Sequence, residues 1–387
     1  MREKNWPNFS KKLISEVGSI LSSGKINYTN GPYGKKFEKA FSKFIGNNYS
    51  IAICNGTVAL EVAIRSLNLP KKSEILVPAR SFFSSASCIV NTGHVPIFVD
   101  INISTQNISL KDIKKKITKK TKAIICVHLA GLPCDMENIM KFSKQKKIKI
   151  IEDCSQAHGA SINNKQVGSF GDISTWSFCN DKIISTLGEG GMISTGKKKL
   201  YEYCKRYINH GTNLQNNKSS EKFIYNKDYF GTNLRITEIQ SYAGLVQLKS
   251  LKKVQSKREN ISKSYFNLIS NYNMYLECYY PPKKIKSAWY RFYFFLKTDI
   301  KNYQNIRFKI IKNLKKKNIN CFAGSCPEIY LEKAFKKLNN FKQKRLSNSK
   351  ILGETGIALD INHTLDFSKH KKKIIILKNV IEDVFQI

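Results

Sequence analysis

The sequence lacks any long apolar segment. No run of 18 or more apolar residues occurs along its 387 positions, so it predicts no transmembrane helix. The first residues, MREKNWPNFSKKLISEV, also lack the apolar core of a secretory signal peptide. We therefore expect a globular, cytoplasmic protein with no membrane partner.

Cysteine patterns typical of metal sites are missing as well. Ten cysteines are present, but no two have the C-x-x-C spacing of a metal or redox motif. Several lie in apolar runs, as Cys126 does between Ile125 and Val127, where a reduced thiol packs as a small hydrophobic side chain. The cysteines therefore predict a reducing compartment and no bound metal.

Acidic residues are scarce. The chain has 28 Asp and Glu against 66 Lys and Arg, a formal net charge of +38, and such a charge favours a nucleic-acid-binding function. The lysines, however, are spread along the whole chain, which is also rich in Asn and Ile and poor in proline. We interpret the charge as compositional bias and keep nucleic-acid binding as the weaker alternative. A positive field would still attract an anionic substrate or cofactor.

What the sequence does contain is a regular alternation of strands and helices. Strands are predicted over residues 50–54, 74–78, 96–99, 123–127 and 148–152, with helices between them. Ile- and Val-rich strands alternating with helices predict an α/β fold with a mostly parallel mixed sheet. After residue 250, a long helix, an aromatic strand over 289–296 and a helix over 306–316 predict a smaller α+β unit. We therefore expect a large α/β domain, residues 1–250, and a small C-terminal α+β domain, residues 251–387.

Two helices are predicted before the first strand, over residues 6–22 and 37–45. Between them lies a turn-rich loop that contains Gly31-Pro32-Tyr33-Gly34. Such a loop either lines a site or only connects the two helices, and the sequence leaves both interpretations open.

Polar residues follow several of the predicted strands. Asn55-Gly56-Thr57 comes between a strand and a helix, a geometry that binds phosphate through free N–H groups and the helix dipole. Asp153 follows an apolar strand directly, so its carboxylate is expected at the edge of the sheet where ligands bind. Each residue also has a purely structural interpretation, as a helix cap or a turn residue.

Residues 175–195, TWSFCNDKIISTLGEGGMIST, contain a candidate nucleophile. The segment predicts a strand, a turn at Cys179-Asn180-Asp181, then Lys182, a glycine-rich step and a second strand. A lysine held beside glycines is a candidate Schiff-base lysine, while an exposed lysine at a hairpin is the alternative. Together, Lys182, Asp153 and the Gly56 helix start are the parts that pyridoxal 5′-phosphate (PLP) chemistry needs: an amine, a partner for the ring nitrogen and a phosphate site.

A set of short segments is distributed in a fixed order over nearly the whole chain. The segments are Gly31-Pro32-Tyr33-Gly34, Asn55-Gly56-Thr57, Val77-Pro78-Ala79, Val99-Asp100-Ile101, residues 127–133, Glu152-Asp153 with Gln156-Ala157-His158-Gly159, Ser177-Phe178, Lys182, residues 188–191, Asn209-His210-Gly211 and residues 231–240. In these segments and their order, the chain resembles the DegT/DnrJ/EryC1/StrS family of sugar aminotransferases. This resemblance implies the aspartate-aminotransferase-like fold type I and PLP as cofactor.

The resemblance also implies a role for each site residue. Lys182 would be the Schiff-base lysine and proton shuttle, and Asp153 would pair with the pyridine nitrogen. Gln156 would lie at the 3-hydroxyl side of the ring, and Phe82 would stack on the ring face. The phosphate would be held by Gly56, Thr57, the Val58 N–H group and Ser177, with Asn233 reaching it from the neighbouring subunit of a homodimer. His158 is expected to be structural, and the role of His128 stays open.

The implied reaction moves an amino group from L-glutamate to a keto sugar. The substrate would be a nucleotide-linked 4-keto-6-deoxy hexose, and the amino sugar would enter surface polysaccharide, lipopolysaccharide or a glycosylated metabolite. Members that dehydrate their substrate carry His at the lysine position, so Lys182 argues against that branch. The alternatives are another reaction on the same cofactor or a ketone that is not a sugar.

Two segments depart from the family pattern. Cys179-Asn180-Asp181 stands where many members have His-Pro, although the spacing to Lys182 is kept. Gly324-Ser325-Cys326-Pro327-Glu328 lies in the expected substrate-side loop without its usual His/Tyr-Pro-rich sequence. Candidate cations for a substrate carboxylate or diphosphate are Arg80, Arg206 and Arg235.

Overall fold

The structure is a computed structural model that describes residues 6–213, 225–339 and 341–387. Its helices are α1 (Lys11–Ser22), α2 (Tyr33–Ile45), α3 (Gly56–Ser66), α4 (Ser84–Asn91), α5 (Leu110–Lys116), α6 (Met136–Lys146), α7 (Lys198–Tyr207), α8 (Glu238–Ser270), α9 (Tyr303–Lys316), α10 (Lys333–Lys336), α11 (Ser347–Thr355) and α12 (Phe367–Phe385). Short 3-10 turns occupy Leu129–Gly131 and Ile329–Leu331.

The strands are β1 (Tyr49–Ile53), β2 (Glu74–Pro78), β3 (Val95–Val99), β4 (Thr121–Val127), β5 (Lys149–Asp153), β6 (Ser161–Ile162), β7 (Lys165–Gln166), β8 (Ile173–Ser177), β9 (Gly191–Thr195), β10 (Leu276–Cys278), β11 (Ile285–Lys286), β12 (Arg291–Leu296), β13 (Cys321–Phe322) and β14 (Gly356–Asp360). They form three sheets of seven, four and three strands.

The seven-stranded sheet has the order β1-β9-β8-β5-β4-β2-β3. Its neighbouring strands are parallel, except that β9 runs antiparallel to both β1 and β8. The predicted mostly parallel mixed sheet is therefore confirmed. Because β4, β5 and β8 are parallel neighbours, their carboxyl ends lie side by side along one edge of the sheet.

Helices cover both faces of this sheet. On β4, Ile125 packs in the cluster that holds α3, α4 and α7, whereas Ile124 and Cys126 pack on the opposite side against α5 and α6. At the β1-β9-β8 end, that opposite side is covered by α2 and α8 through Phe37 and Leu251. Because both faces of these strands are buried, their sequences are continuous apolar runs.

The four-stranded sheet, β10-β12-β14-β13, is antiparallel and lies toward the C-terminus. Phe292, Phe294 and Leu359 on its strands pack against α8, α9 and α12. The helix α8 has 33 residues and runs without a break across position 250, where we predicted the domain boundary. A capping box at Thr237 and Gln240 fixes its start.

The first two helices begin at other residues than we predicted. Ser10 caps α1, so this helix starts at Lys11 and not at residue 6. Helix α2 starts earlier, at Tyr33, because the buried Glu238 carboxylate accepts hydrogen bonds from the N–H groups of Tyr33 (2.5 Å) and Gly34 (2.8 Å). A Cβ atom on Gly31 would overlap Glu238. The turn-rich loop before α2 therefore forms the start of this helix. Residues 27–34 are absent from the lining of the cavity described below.

Within the described ranges, the helices include none with the length and apolar character needed to cross a membrane.

Candidate active site

A cavity of about 770 Å³ opens at the carboxyl ends of the parallel strands, between the large sheet and the four-stranded sheet. Eight of the nine residues predicted for the site line it: Gly56, Thr57, Val58, Phe82, Asp153, Gln156, Ser177 and Lys182. The ninth, Asn233, is exposed and lies outside the lining of its own chain's cavity.

The start of α3 forms one wall of the cavity. Asn55 caps the helix, and its Oδ1 accepts a hydrogen bond from the Val58 N–H group at 3.0 Å. A Cβ atom on Gly56 would lie 2.7 Å from Ser177 Cβ, so only glycine lets the helix start approach the end of β8 this closely. The first-turn N–H groups that the helix itself leaves unpaired therefore face the cavity beside Ser177.

Asp153 is fixed at the end of β5. It is 4% exposed, and its carboxylate accepts hydrogen bonds from Ser85 Oγ at 2.9 Å and the Ser155 N–H group at 3.1 Å. Ser81 Oγ lies 3.0 Å from Ser85 Oγ and extends this network along the cavity wall. The contact of Ser85 was not predicted, because nothing in the sequence links this serine to an aspartate 68 residues away.

Two further predicted residues line the same cavity as Asp153. Gln156 Oε1 accepts a hydrogen bond from the Ala130 N–H group at 2.7 Å, which fixes the orientation of the amide. Phe82 is 67% exposed at the cavity mouth, where its ring is accessible to a planar ligand.

The Lys182 side chain is 14% exposed and extends into the cavity. Its Nζ lies 3.4 Å from the Tyr290 hydroxyl, 4.8 Å from the centre of the Tyr290 ring and 3.8 Å from Asp181 Oδ1. Burial lowers the pKa of the Lys182 amine, but Tyr290 and Asp181 outweigh this effect and the pKa is raised overall. The interpretation of Lys182 as an exposed hairpin lysine therefore does not fit the structure.

Three residues that the sequence analysis gave no site role surround Lys182: Asp181, Tyr290 and Arg291. The Tyr290 hydroxyl donates a hydrogen bond to Asp181, and Arg291 Nη2 lies 3.6 Å from the same carboxylate. The Arg291 guanidinium lies 4.6 Å from the Tyr290 ring centre and 5.2 Å from that of Phe322, and it also pairs with Asp360. For Tyr290 and Arg291, the sequence signal was the start of the predicted aromatic strand, which we interpreted only as part of the smaller α+β unit.

A buried cluster of His128, Glu152 and Cys154 has ligand atoms within 4.8 Å of one another, as a metal site would. Glu152 instead accepts hydrogen bonds from the N–H groups of Gly168, Phe170 and Gly171. The Cys134 N–H donates to His128 Nδ1, so His128 Nε2 carries the proton that faces Glu152 at 3.2 Å. Burial also raises the pKa of the Cys154 thiol. The cluster is accordingly a structural hydrogen-bond network.

His158 lies behind Lys182 and is fully buried. Its ring packs against Trp176 and Phe178, and burial together with the Lys182 charge lowers its pKa to about 3. It is therefore neutral at physiological pH.

The three arginines suggested for substrate binding lie outside the cavity lining. Arg80 is buried and donates to Gln106, Arg206 pairs with Asp228 at 2.9 Å, and Arg235 donates to Asn209. In the predicted substrate-side loop, Gly324, Ser325 and Cys326 line the cavity, whereas Glu328 pairs with Arg345.

A family model described as the DegT/DnrJ/EryC1/StrS aminotransferase family matches residues 7–376. The GDP-perosamine synthase of Escherichia coli O157:H7 is 39% identical over 259 residues, 67% of this chain and 69% of that protein.

Solved structures of related proteins have the same fold. The X-ray structure of the aminotransferase from Psychrobacter cryohalolentis superposes with a TM-score of 0.95 at 34% identity, covering 98% of this chain and 99% of that one. The E. coli GDP-4-keto-6-deoxy-D-mannose-3-dehydratase, solved with bound hydrated PLP, has a TM-score of 0.86 at 26% identity, covering 97% and 98%. The predicted fold type I is thereby confirmed.

The residues present fit PLP: the Gly56 helix start suits a phosphate, Asp153 a cationic ring nitrogen and Lys182 an aldehyde. Sequence, fold and cavity thus agree, and the chain belongs to the DegT/DnrJ/EryC1/StrS family of PLP-dependent aminotransferases.

Proposed function

We propose that this protein transfers the amino group of L-glutamate to the ketone of a nucleotide-linked sugar, a 4-keto-6-deoxy hexose. The single observation that carries the proposal is that the Lys182 amine, the Asp153 carboxylate and the α3 start share one cavity. The names of relatives support the sugar substrate, since the GDP-perosamine synthase and the 3-dehydratase both have names that refer to GDP-linked hexoses.

The chain's residues have distinct tasks in this proposal. PLP, when bound through Lys182, supplies an electron sink that acidifies the carbon next to the amino group. Lys182 Nζ then takes a proton from Cα of the amino donor and later returns one to the sugar carbon. Asp153 would stabilise a protonated ring nitrogen through its fixed carboxylate, and Gln156 would hold the hydroxyl side of the ring.

Phosphate binding is assigned to the helix start and its neighbours. Gly56 and Thr57 offer first-turn N–H groups, and Ser177 offers a hydroxyl at the end of β8. The Val58 N–H, also proposed for this task, donates to the Asn55 cap. Phe82 would pack on the ring face, and Asn233 would reach the phosphate from the partner subunit of a homodimer.

Arg291 is our candidate for an anionic group of the substrate. Lys182 and Arg291 are the two cations that line the cavity within the described residues. Arg291 is held between two aromatic rings and by Asp360, so a carboxylate of glutamate or a diphosphate would meet a preoriented guanidinium. A volume of about 770 Å³ suits a substrate larger than an amino acid.

We also propose a cytoplasmic location and a product that enters surface polysaccharide or lipopolysaccharide. All ten cysteines are free thiols, which fits a reducing compartment.

A two-step assay tests the proposal. PLP-loaded protein is incubated with L-glutamate, 2-oxoglutarate is measured, and a panel of nucleotide-linked keto sugars is then added with mass spectrometry of the products. We expect 2-oxoglutarate formation and the mass of an amino sugar with at least one GDP-, dTDP- or UDP-linked ketone. Lys182→Ala should abolish both steps, and Lys198→Ala, at an exposed lysine of α7, should abolish neither. Glutamate turnover that persists in Lys182→Ala would refute the assignment of the lysine.

A further inference from the structure

The residue before Lys182 is an aspartate with an unusual set of contacts. The Asp181 carboxylate accepts a hydrogen bond from the Tyr290 hydroxyl and lies 3.8 Å from Lys182 Nζ and 3.6 Å from Arg291 Nη2. Its side chain is 48% exposed, so its position depends on these partners and not on burial.

Tyr290 is held far more rigidly. It is 6% exposed, its N–H group donates to Ala130 O at 2.9 Å, and its own carbonyl accepts from Arg258 Nη2 at 3.0 Å. Its hydroxyl therefore has a fixed position, from which it contacts both Asp181 and Lys182. The Lys182 amine lies over the ring face, where a cation is favoured over a neutral amine.

We propose that Asp181 and Tyr290 are a positioning pair that holds the Lys182 amine at one point of the cavity wall and stabilises its ammonium form. This inference rests on the proposed role of Lys182 as proton carrier. A carboxylate within about 4 Å strengthens an amine as a base, so the pair assists Lys182 when it takes the proton from the amino donor.

Of the other titratable groups around Lys182, Cys179 acts in the same direction as Asp181 and raises the pKa of the amine, but burial raises the pKa of its own thiol, which is therefore neutral at neutral pH. His158 faces Lys182 from the turn after β5, and burial lowers its pKa to about 3, so it is neutral and adds no charge. Arg291 is positive and favours the neutral amine. Burial raises the pKa of Asp181, but Lys182, Tyr290 and Arg291 lower it overall, which leaves this carboxylate ionised.

The test measures the titration of the Lys182 amine itself. Full-length protein without cofactor is labelled with trace acetic anhydride from neutral to alkaline pH, and acetylation of the Lys182 peptide is quantified by mass spectrometry. Asp181→Asn keeps the shape of the side chain and removes its charge, so we expect the midpoint to fall by about one pH unit. Tyr290→Phe should lower it in the same direction.

Glu189→Gln is the matched control, because it removes one negative charge from another position of the same cavity wall. Its Lys182 midpoint should stay at the wild-type value. An unchanged midpoint in Asp181→Asn, or an equal shift in Glu189→Gln, would overturn the proposal. If Asp181→Asn fails to fold by circular dichroism, the result with Tyr290→Phe decides in its place.

Cofactor binding separates this inference from the proposed function. Lys182→Ala should lose the long-wavelength absorbance band that PLP shows only when it is attached to the protein, whereas Asp181→Asn should keep this band. Absorbance retained in Lys182→Ala means that the proposed function has the wrong lysine. If Lys182→Ala loses this absorbance but the Lys182 amine of Asp181→Asn titrates with the wild-type midpoint, only the positioning pair is wrong.

Discussion

Gly56 shows how a single missing side chain shapes the site. Its Cα lies so close to β8 that a Cβ atom would be 2.7 Å from Ser177 Cβ, which is itself a proposed phosphate ligand. Gly56→Ala should push the helix start away from Ser177 at a cost of about 1–3 kcal/mol. We expect the dissociation constant of PLP, measured by absorbance titration, to rise about tenfold or more.

Gly18→Ala is the matched control for this variant. Gly18 lies in α1 with nothing within 4 Å of its added Cβ, so the substitution should leave PLP affinity unchanged. A dissociation constant for Gly56→Ala equal to that of wild type would contradict the proposed phosphate site.

At the residue scale, the sequence identified those site residues whose position follows from the chain direction. Asp153 was predicted because it ends an apolar strand, and Lys182 because it lies between a strand and a glycine-rich step. Tyr290 and Ser85 were not predicted. Tyr290 contacts Lys182 from 108 residues away in the sequence, and Ser85 contacts Asp153 from 68 residues away. Such contacts arise from tertiary packing, which no local pattern encodes.

At the element scale, Asp100 joins the large sheet to the C-terminal region. It follows β3, and its carboxylate accepts hydrogen bonds from the N–H groups of Asn348 (3.0 Å) and Ser349 (2.9 Å) and from Ser349 Oγ (2.7 Å). Leu346, the residue before α11, makes no side-chain cap. Asp100 is therefore the N-terminal cap of a helix almost 250 residues away in sequence.

Asp100→Ala should lower the free energy of unfolding by about 1–2 kcal/mol, since it leaves the first N–H groups of α11 without their acceptor. Urea denaturation followed by circular dichroism measures this change. Asp299→Ala, at an exposed position after β12, should have almost no effect. Equal stability of the two variants would contradict the capping role.

Helix and strand types were predictable at this scale, but several helix starts were not. The alternation over residues 50–152 follows from apolar periodicity, and the structure has a strand or helix at each predicted position. The start of α2 instead depends on Glu238, which lies about 200 residues later in the sequence. A cap supplied from another element leaves no signature beside the helix that it caps.

At the scale of the whole molecule, the proposed homodimer can be tested through Asn233. This side chain is exposed and lies outside its own chain's cavity, as expected for a residue that serves the partner's site. Lys182→Ala and Asn233→Ala should each lower the activity of their own homodimer. When the two variants are coexpressed with different tags and purified as a hybrid dimer, one of its two sites has both an intact Lys182 and an intact Asn233 from the other subunit.

The hybrid should therefore convert glutamate at about half the wild-type rate per dimer. Single-turnover absorbance at limiting PLP measures this rate. A hybrid no faster than the mean of its two parent homodimers would contradict a site shared between subunits.

The overall architecture was the most predictable level, because it depends on the order of many elements and not on any one contact. The parallel strands with intervening helices fixed the layer structure, and helix was predicted on both sides of residue 250, where the structure has the single helix α8. The proposed division into domains remains a prediction.

The covalent attachment of PLP tests the central claim most directly. Full-length protein is loaded with PLP, reduced with sodium borohydride, digested and examined by mass spectrometry. Our account predicts a phosphopyridoxyl group on Lys182 and on no other lysine. A label on a different lysine, or a Lys182 peptide that remains unmodified although PLP is bound, would contradict it.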